Sequence, residues 1–166
     1  RSGENLTNQQ RKFHRALHAT AFTLYNGLQP SCIFHFPVLS LPHMTEKTIL
    51  IIEDEPDAAE LFAEMMRVSG FNVLKITSSA SAFAMLADKQ PDLVVLDIMM
   101  PDVSGLEVLQ YMRSDPTLER TPVVIVSAKS SPADIKVGLD AGATAYLVKP
   151  VGFLELKDAV RRALGE

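Results

Sequence analysis

Three carboxylates, one hydroxyl and one lysine each end a short apolar run in this chain. Glu53 and Asp54 close "TILIIED", Asp97 closes "DLVVLD", Ser127 comes near the end of "PVVIVSA", and Lys149 ends "ATAYLVK". A bare charge is expensive to bury, so an apolar run that finishes on one needs a reason. Singly, each residue has a plain one: Asp54 or Asp97 could cap a helix, Ser127 could cap or turn, and Lys149 could be a solvated charge. Capping is a poor account of all five at once. Three carboxylates brought within a few ångströms would repel one another and raise their pKa values unless a cation sat among them. With no His or Cys at these positions, the oxygens favour a hard ion, Mg²⁺ first and Mn²⁺ as a substitute. Beside such an ion Asp97 can serve as a nucleophile that accepts a phosphoryl group. The ion and Lys149 would neutralise the phosphoryl oxygens, and the Ser127 hydroxyl would donate to one of them.

That chemistry requires elements that deliver all five residues to one place. From Met44 onward, apolar runs too short for a typical helix alternate with stretches of helical spacing. "TILIIED" reads as a strand covered on both faces. In "DAAELFAEMMRVSG", Leu61, Met65 and Val68 share a helical face and Gly70 supplies the stop. "FNVLKIT" and "SASAFAMLADKQ", the latter closed by Pro91, are the next strand and helix. "DLVVLD" is followed by "SGLEVLQYMRSD", where Ser104 and Glu107 have the spacing of a capping box. "PVVIVSA" precedes "SPADIKVGLDAG", with Ser131 as N-cap and Pro132 at the first helical position. "ATAYLVK" and "GFLELKDAVRRALG" complete the series. Five strand–helix units predict an α/β fold, a doubly wound five-stranded parallel sheet with helices on both faces. In such a sheet ligands bind beyond the carboxyl ends of the strands, which is where the five polar residues fall.

The 166 residues suit one domain with a full core. A hydrophobic fraction of 47% and a charged fraction of 22% argue against both disorder and a membrane protein. No apolar run approaches the roughly 18 residues of a membrane span. A net charge of −4 argues against nucleic acid as a direct partner. The single Cys32 cannot form an internal disulfide, which fits a reducing compartment, and a cytoplasmic location is expected. Composition changes near residue 44: all four histidines and the cysteine precede it. Arg1, Arg11, Lys12 and Arg15 against Glu4 leave residues 1–43 at about +3, and the rest at about −7. Residues 1–43 therefore read as an N-terminal extension, tag-derived or mis-started sequence, with a packing or targeting extension as alternatives. Phe13, Leu17, Ala21 and Leu24 would stripe a helix within it, and Pro30, Pro37 and Pro42 interrupt the apolar stretch after that helix. Residues 44–166 are the expected domain.

The order and separation of "IIEDEP", "VVLDIMMPDVSG", "VVIVSAK" and "AYLVKP" resemble the receiver domains of two-component response regulators, over residues 47 to about 164. The resemblance implies a flavodoxin-like (βα)5 fold with strand order 2-1-3-4-5. It implies that Asp97 is the phosphorylated aspartate and that Glu53, Asp54, Asp97 and the Met99 backbone carbonyl hold Mg²⁺. Ser127 takes the place of the switch hydroxyl, Lys149 that of the family's lysine, and Lys149-Pro150 that of its cis peptide. Tyr146 fits the aromatic that rotates inward when the hydroxyl is drawn to the phosphoryl group, repacking the fourth helix, fifth strand and fifth helix. Met99 and Lys129 flank the path of the hydrolytic water. Neither offers a general base, so unassisted dephosphorylation over minutes or longer is expected.

The partners implied are a sensor histidine kinase or phosphotransfer protein upstream, and a protein target or output domain downstream. Direct nucleic-acid binding and membrane contact are not expected, and dimerisation on activation is left open. A stand-alone regulator acting through protein contacts is favoured over a receiver belonging to a longer protein. The chain would be a regulatory phosphoacceptor, not an enzyme. Two other readings compete: a receiver-like interaction module that is never phosphorylated, and a haloacid-dehalogenase-type phosphatase with an aspartate nucleophile. The second needs a further Asp two residues beyond the first, where this chain has Met99.

Overall fold

In the computed structural model, residues 47–166 are described, and the helix expected in residues 13–24 and the interrupted stretch after it lie outside them. The described chain alternates strand and helix throughout: β1 (Thr48–Ile52), α1 (Pro56–Val68), β2 (Asn72–Ile76), α2 (Ser79–Lys89), β3 (Leu93–Leu96), α3 (Gly105–Ser114), β4 (Val123–Ser127), α4 (Pro132–Asp140), β5 (Ala145–Val148) and α5 (Phe153–Leu164). The strands pair in parallel in the order β2-β1-β3-β4-β5, as expected.

Side chains on a strand alternate between faces, so each central strand feeds two cores. Ile49, Ile51, Val95, Val124 and Val126 point to the face covered by α1 and α5, where they meet Phe62, Met66, Leu156 and Val160. Leu50, Ile52, Val94, Leu96 and Ile125 point to the other face and meet Leu86 of α2 and Val108, Leu109 and Met112 of α3. Every residue of β3 and β4 is buried, which explains why these runs read as continuously apolar. Fully burying one such Ile or Leu side chain is worth about 2 kcal/mol.

The helix boundaries follow local chemistry. Ser104 Oγ accepts the Leu106 N–H at 3.2 Å and the Glu107 carboxylate accepts the Ser104 N–H at 2.9 Å, so α3 begins with the expected reciprocal cap. Ser131 Oγ accepts the Asp134 N–H at 3.1 Å and Pro132 opens α4. After α1 the chain turns at Gly70, with φ +92°.

The face of α1 named from its spacing is distinct from the one that packs on the sheet. Leu61, Met65 and Val68 do share a face, but it is not the buried one: Leu61 is 54% and Val68 75% exposed. The core face carries Ala59, Phe62, Ala63 and Met66. Both sets satisfy helical spacing, and the small residues Ala59 and Ala63 are the ones that let the helix lie close to the sheet. Among the described residues no helix is long and apolar enough to cross a membrane.

Candidate functional site

Because β1 lies between β2 and β3, the chain leaves β1 toward one side of the sheet and later returns to the other. The crevice where the strand order reverses opens at the carboxyl ends of β1 and β3. Glu53 and Asp54 follow β1 directly, and Asp97 follows β3. The ladder continues one residue past each strand: the Asp97 N–H donates to the Ile52 carbonyl at 2.9 Å and the Glu53 N–H to the Ile76 carbonyl at 3.2 Å. The Lys149 N–H donates likewise to the Ser127 carbonyl at 2.8 Å. The backbones that carry these side chains are thus fixed by the sheet and not by flexible loops.

Glu53, Asp54 and Asp97 each present a carboxylate oxygen within 4.8 Å of the others. Glu53 and Asp97 are buried, whereas Asp54 reaches partly into solvent. The Lys149 ammonium bridges two of the three, at 2.7 Å from Glu53 Oε2 and 2.7 Å from Asp97 Oδ2. The other oxygen of Asp97, Oδ1, accepts the Met99 N–H at 2.8 Å. Lys149 Nζ also lies 5.9 Å from the centroid of the Phe62 ring, a favourable cation–π position. Burial pushes the Glu53 carboxyl above its ordinary pKa, and the Asp97 charge adds to this, while Lys149 offsets part of it. Burial works against the Lys149 charge too, but its pairing with Asp97 and Glu53 outweighs that and holds its pKa above the usual value. The lysine therefore stays charged and can answer only part of three clustered acids. An all-oxygen donor set of this kind, with excess negative charge, fits a hard divalent cation.

The second group of expected residues is joined through the backbone of one residue, Lys129. Ser127 is fully buried, and its Oγ accepts the Lys129 N–H at 3.2 Å. The Tyr146 hydroxyl donates to the Lys129 carbonyl at 2.9 Å. The Tyr146 ring rests against α4 at Gly138, where a Cβ would come within 2.8 Å of the ring. The Lys129 side chain is half-exposed and lies 3.9 Å from Asp134, and the Met99 side chain is half-exposed as well. The Lys149-Pro150 peptide is cis.

Residues 49–161 match the family profile described as response regulator receiver domain. The chain belongs to that family. "Probable transcriptional regulatory protein TcrX" of Mycobacterium tuberculosis is 39% identical over 118 residues, which is 70% of this chain and 49% of that protein. "Polar-differentiation response regulator DivK" of Brucella ovis is 30% identical over 120 residues, covering 72% of this chain and 98% of DivK. The chain spans about half the length of TcrX and of several other curated relatives it matches. Among solved structures, chemotaxis response regulator CheY4 of Vibrio cholerae superposes with a TM-score of 0.68 at 24% identity, over 72% of this chain and 99% of CheY4. The receiver domain of sensor histidine kinase PA1611 from Pseudomonas aeruginosa, solved with a magnesium ion coordinated in its active site cleft, gives 0.67 at 25% identity over 72% and 98%.

Within this receiver domain some site residues escaped the sequence reading. Gly105 opens α3 directly against the loop that follows β3, and a Cβ there would lie 2.1 Å from the Asp97 carbonyl oxygen. That neighbour is backbone, so no side chain fits without moving Asp97. The signal was present, since a glycine immediately after the N-cap Ser104 is a poor helix former with no turn to make. Gly138 carries the same signal in the middle of α4. Lys129 also engages the site through its backbone N–H and its carbonyl, which belong to successive peptides. No sequence pattern announces that a backbone unit joins two side chains.

Proposed function

We propose that Asp97 accepts a phosphoryl group from a phosphohistidine of a sensor kinase or phosphotransfer protein, and that the resulting charge switches the surface around α4, β5 and α5. One observation carries the reading: three converging carboxylates share a single lysine at the crevice where the strand order reverses. The residues fit a divalent cation, Mg²⁺ or Mn²⁺, held by Glu53, Asp54, Asp97 and the Met99 carbonyl. When bound it would supply positive charge for the phosphoryl oxygens. The magnesium in the PA1611 receiver supports this assignment.

In the transfer, a carboxylate oxygen of Asp97 forms a bond to phosphorus as the phosphorus–nitrogen bond breaks, and the bonding pair leaves with the imidazole. Lys149, already 2.7 Å from Asp97, is placed to move with the added charge. Ser127 then exchanges the Lys129 N–H for a phosphoryl oxygen to which its hydroxyl donates. That exchange frees the backbone N–H of Lys129, whose carbonyl in the next peptide accepts from Tyr146, so a shift of this residue's backbone loosens the tyrosine's present anchor and lets it turn inward. With Met99 and Lys129 beside the site and no general base among them, the acyl phosphate should persist for minutes or longer.

The domain is taken to run over residues 44–166, with residues 1–43 a separate extension, and to act in the cytoplasm. TcrX is named a transcriptional regulator, and this chain spans about half of it, so an output domain joined to the receiver is one recipient of the switch and a separate target protein is the other. We assign no direct nucleic-acid contact to the receiver itself.

The deciding experiment is intact mass after incubation with Mg²⁺ and acetyl phosphate, beside Asp97→Asn. Gain of one phosphoryl group that disappears in the variant and without Mg²⁺ is expected. A folded wild-type protein that gains none would leave an interaction module that works without phosphorylation.

A further inference from the structure

Among the described residues four polar side chains are buried: Glu53, Asp97, Ser127 and Ser79. The first three belong to the site. Ser79 lies at the first turn of α2 with 5% of its surface exposed, and nothing in the phosphoryl-transfer reading uses it.

Ser79 occupies the first helical position of α2, after the N-cap Ser78. Its Oγ donates to the carbonyl of Pro101 at 3.0 Å, a residue in the loop between β3 and α3. The same carbonyl accepts the Val103 N–H at 2.8 Å. A bond from a carbonyl to the N–H two residues on defines a γ-turn, and its central residue, Asp102, has φ +66°. Non-glycine residues rarely adopt that conformation, and holding one there costs on the order of 1–3 kcal/mol, so the turn persists only where neighbours impose it. Ser79 is the neighbour whose side chain bonds the carbonyl that closes this turn. The turn lies two residues beyond Met99, whose N–H holds Asp97 Oδ1 at 2.8 Å. It is followed by Gly105, packed against the Asp97 carbonyl. The loop is thus tied at its start to Asp97, at its end to α3, and at its middle to α2 by one buried hydroxyl.

We propose that Ser79 is a positioning residue for the phosphoacceptor site: its hydroxyl pins the γ-turn at Asp102 and so keeps the Met99 peptide in place beside Asp97. The effect on the cation rests on the function proposed above, whereas the effect on the loop does not.

The test uses the whole chain with Ser79→Ala, and Ser69→Ala as a control. Ser69 also spends its hydroxyl on a carbonyl, that of Met65 at 2.8 Å, but at the end of α1. Two readouts are followed by NMR: amide exchange at Val103 and Met99, and the Mg²⁺ concentration that half-saturates the shift of the Met99 amide. Losing one hydrogen bond worth about 1 kcal/mol should speed exchange at both amides by roughly threefold to tenfold and weaken Mg²⁺ by a similar factor. Exchange at Val95 and Ile125, in the middle of β3 and β4, should stay unchanged, and Ser69→Ala should leave all four amides and Mg²⁺ as in wild type. Exchange at Val103 and Met99 within twofold of wild type would overturn the proposal. So would acceleration shared equally by Val95 and Ile125, which would reduce Ser79 to general packing. A wild-type protein that binds no Mg²⁺ would overturn the cation reading, and the exchange rates alone would then decide the role of Ser79.

Discussion

The two ends of the sheet handle charge in opposite ways. At the amino end, one acid meets one base. Asp92 Oδ1 pairs with Lys47 at 2.8 Å, Oδ2 accepts the Thr48 N–H at 2.9 Å, and the Asp92 N–H returns a bond to the Thr48 carbonyl at 2.9 Å. Lys47 and Asp92 are both partly exposed, at 43% and 36%, so neither loses its solvent. At the carboxyl end three acids meet one base, and two of the acids are buried. The first arrangement is satisfied as it stands. The second is incomplete, because Lys149 leaves excess negative charge packed beside the last residues of the sheet. Charge kept in that condition weakens the fold and is retained for what it can bind or accept.

If that contrast is right, removing the single cation at the crowded end should have the largest effect. Lys149→Ala would leave Glu53 and Asp97 buried without a partner. In metal-free buffer at neutral pH it should lower stability by about 3 kcal/mol, measured by urea unfolding. Adding Asp97→Asn to that variant should recover part of the loss, because the two residues are in contact and their effects are not additive. A Lys149→Ala protein as stable as wild type would mean the acids are already solvated or protonated. Asp97→Asn alone is the next test. Asn keeps an acceptor for the Met99 N–H and removes one of three like charges, so without metal the variant should be about 1 kcal/mol more stable than wild type. A variant clearly less stable than wild type would show that Asp97 supports the fold, and the comparison between the two ends would fail.

Much of this was legible in the sequence because it rests on local rules. The order of strands and helices followed from the alternation of short apolar runs with helical spacing. The position of Glu53, Asp54, Asp97, Ser127 and Lys149 on one rim followed from where each run ended. The buried face of α1 was not legible, because Leu61, Met65 and Val68 repeat as well as Ala59, Phe62 and Met66 do, and only the packing of the helix on the sheet separates them. Contacts that depend on backbone carbonyls were hidden for a different reason. Arg113 donates to the carbonyls of Gly142 at 2.8 Å and Thr121 at 3.0 Å, tying α3 to the turn before β5. Every residue has a carbonyl, so nothing in the sequence marks the ones that will be used. Ser79 and the carbonyl of Lys129 escaped in the same way.

The smallest effect expected lies at the amino end and has a distinct pH signature. Burial opposes the charge of Asp92, but the hydrogen bond from Lys47, the Thr48 N–H and the Lys47 charge outweigh it, so its pKa falls below the ordinary value. A carboxyl with a lowered pKa in the folded state adds stability above its unfolded pKa, near 4, and that contribution disappears as the pH falls through the folded value. Asp92→Asn should therefore cost about 1 kcal/mol or less at pH 7, given the exposure of the pair. The difference from wild type should close as the pH drops through and below the carboxylate range. Glu53 has the opposite sign: its pKa is raised, so the stability linked to it is present at low pH and lost as the pH rises through the folded value. Acid thus removes a stabilising pair at one end of the sheet while it relieves crowding at the other. Urea unfolding of wild type and Asp92→Asn across pH 3 to 7 separates the two. A difference that stayed constant over that range would mean Asp92 acts through its hydrogen-bonding shape and not through its charge.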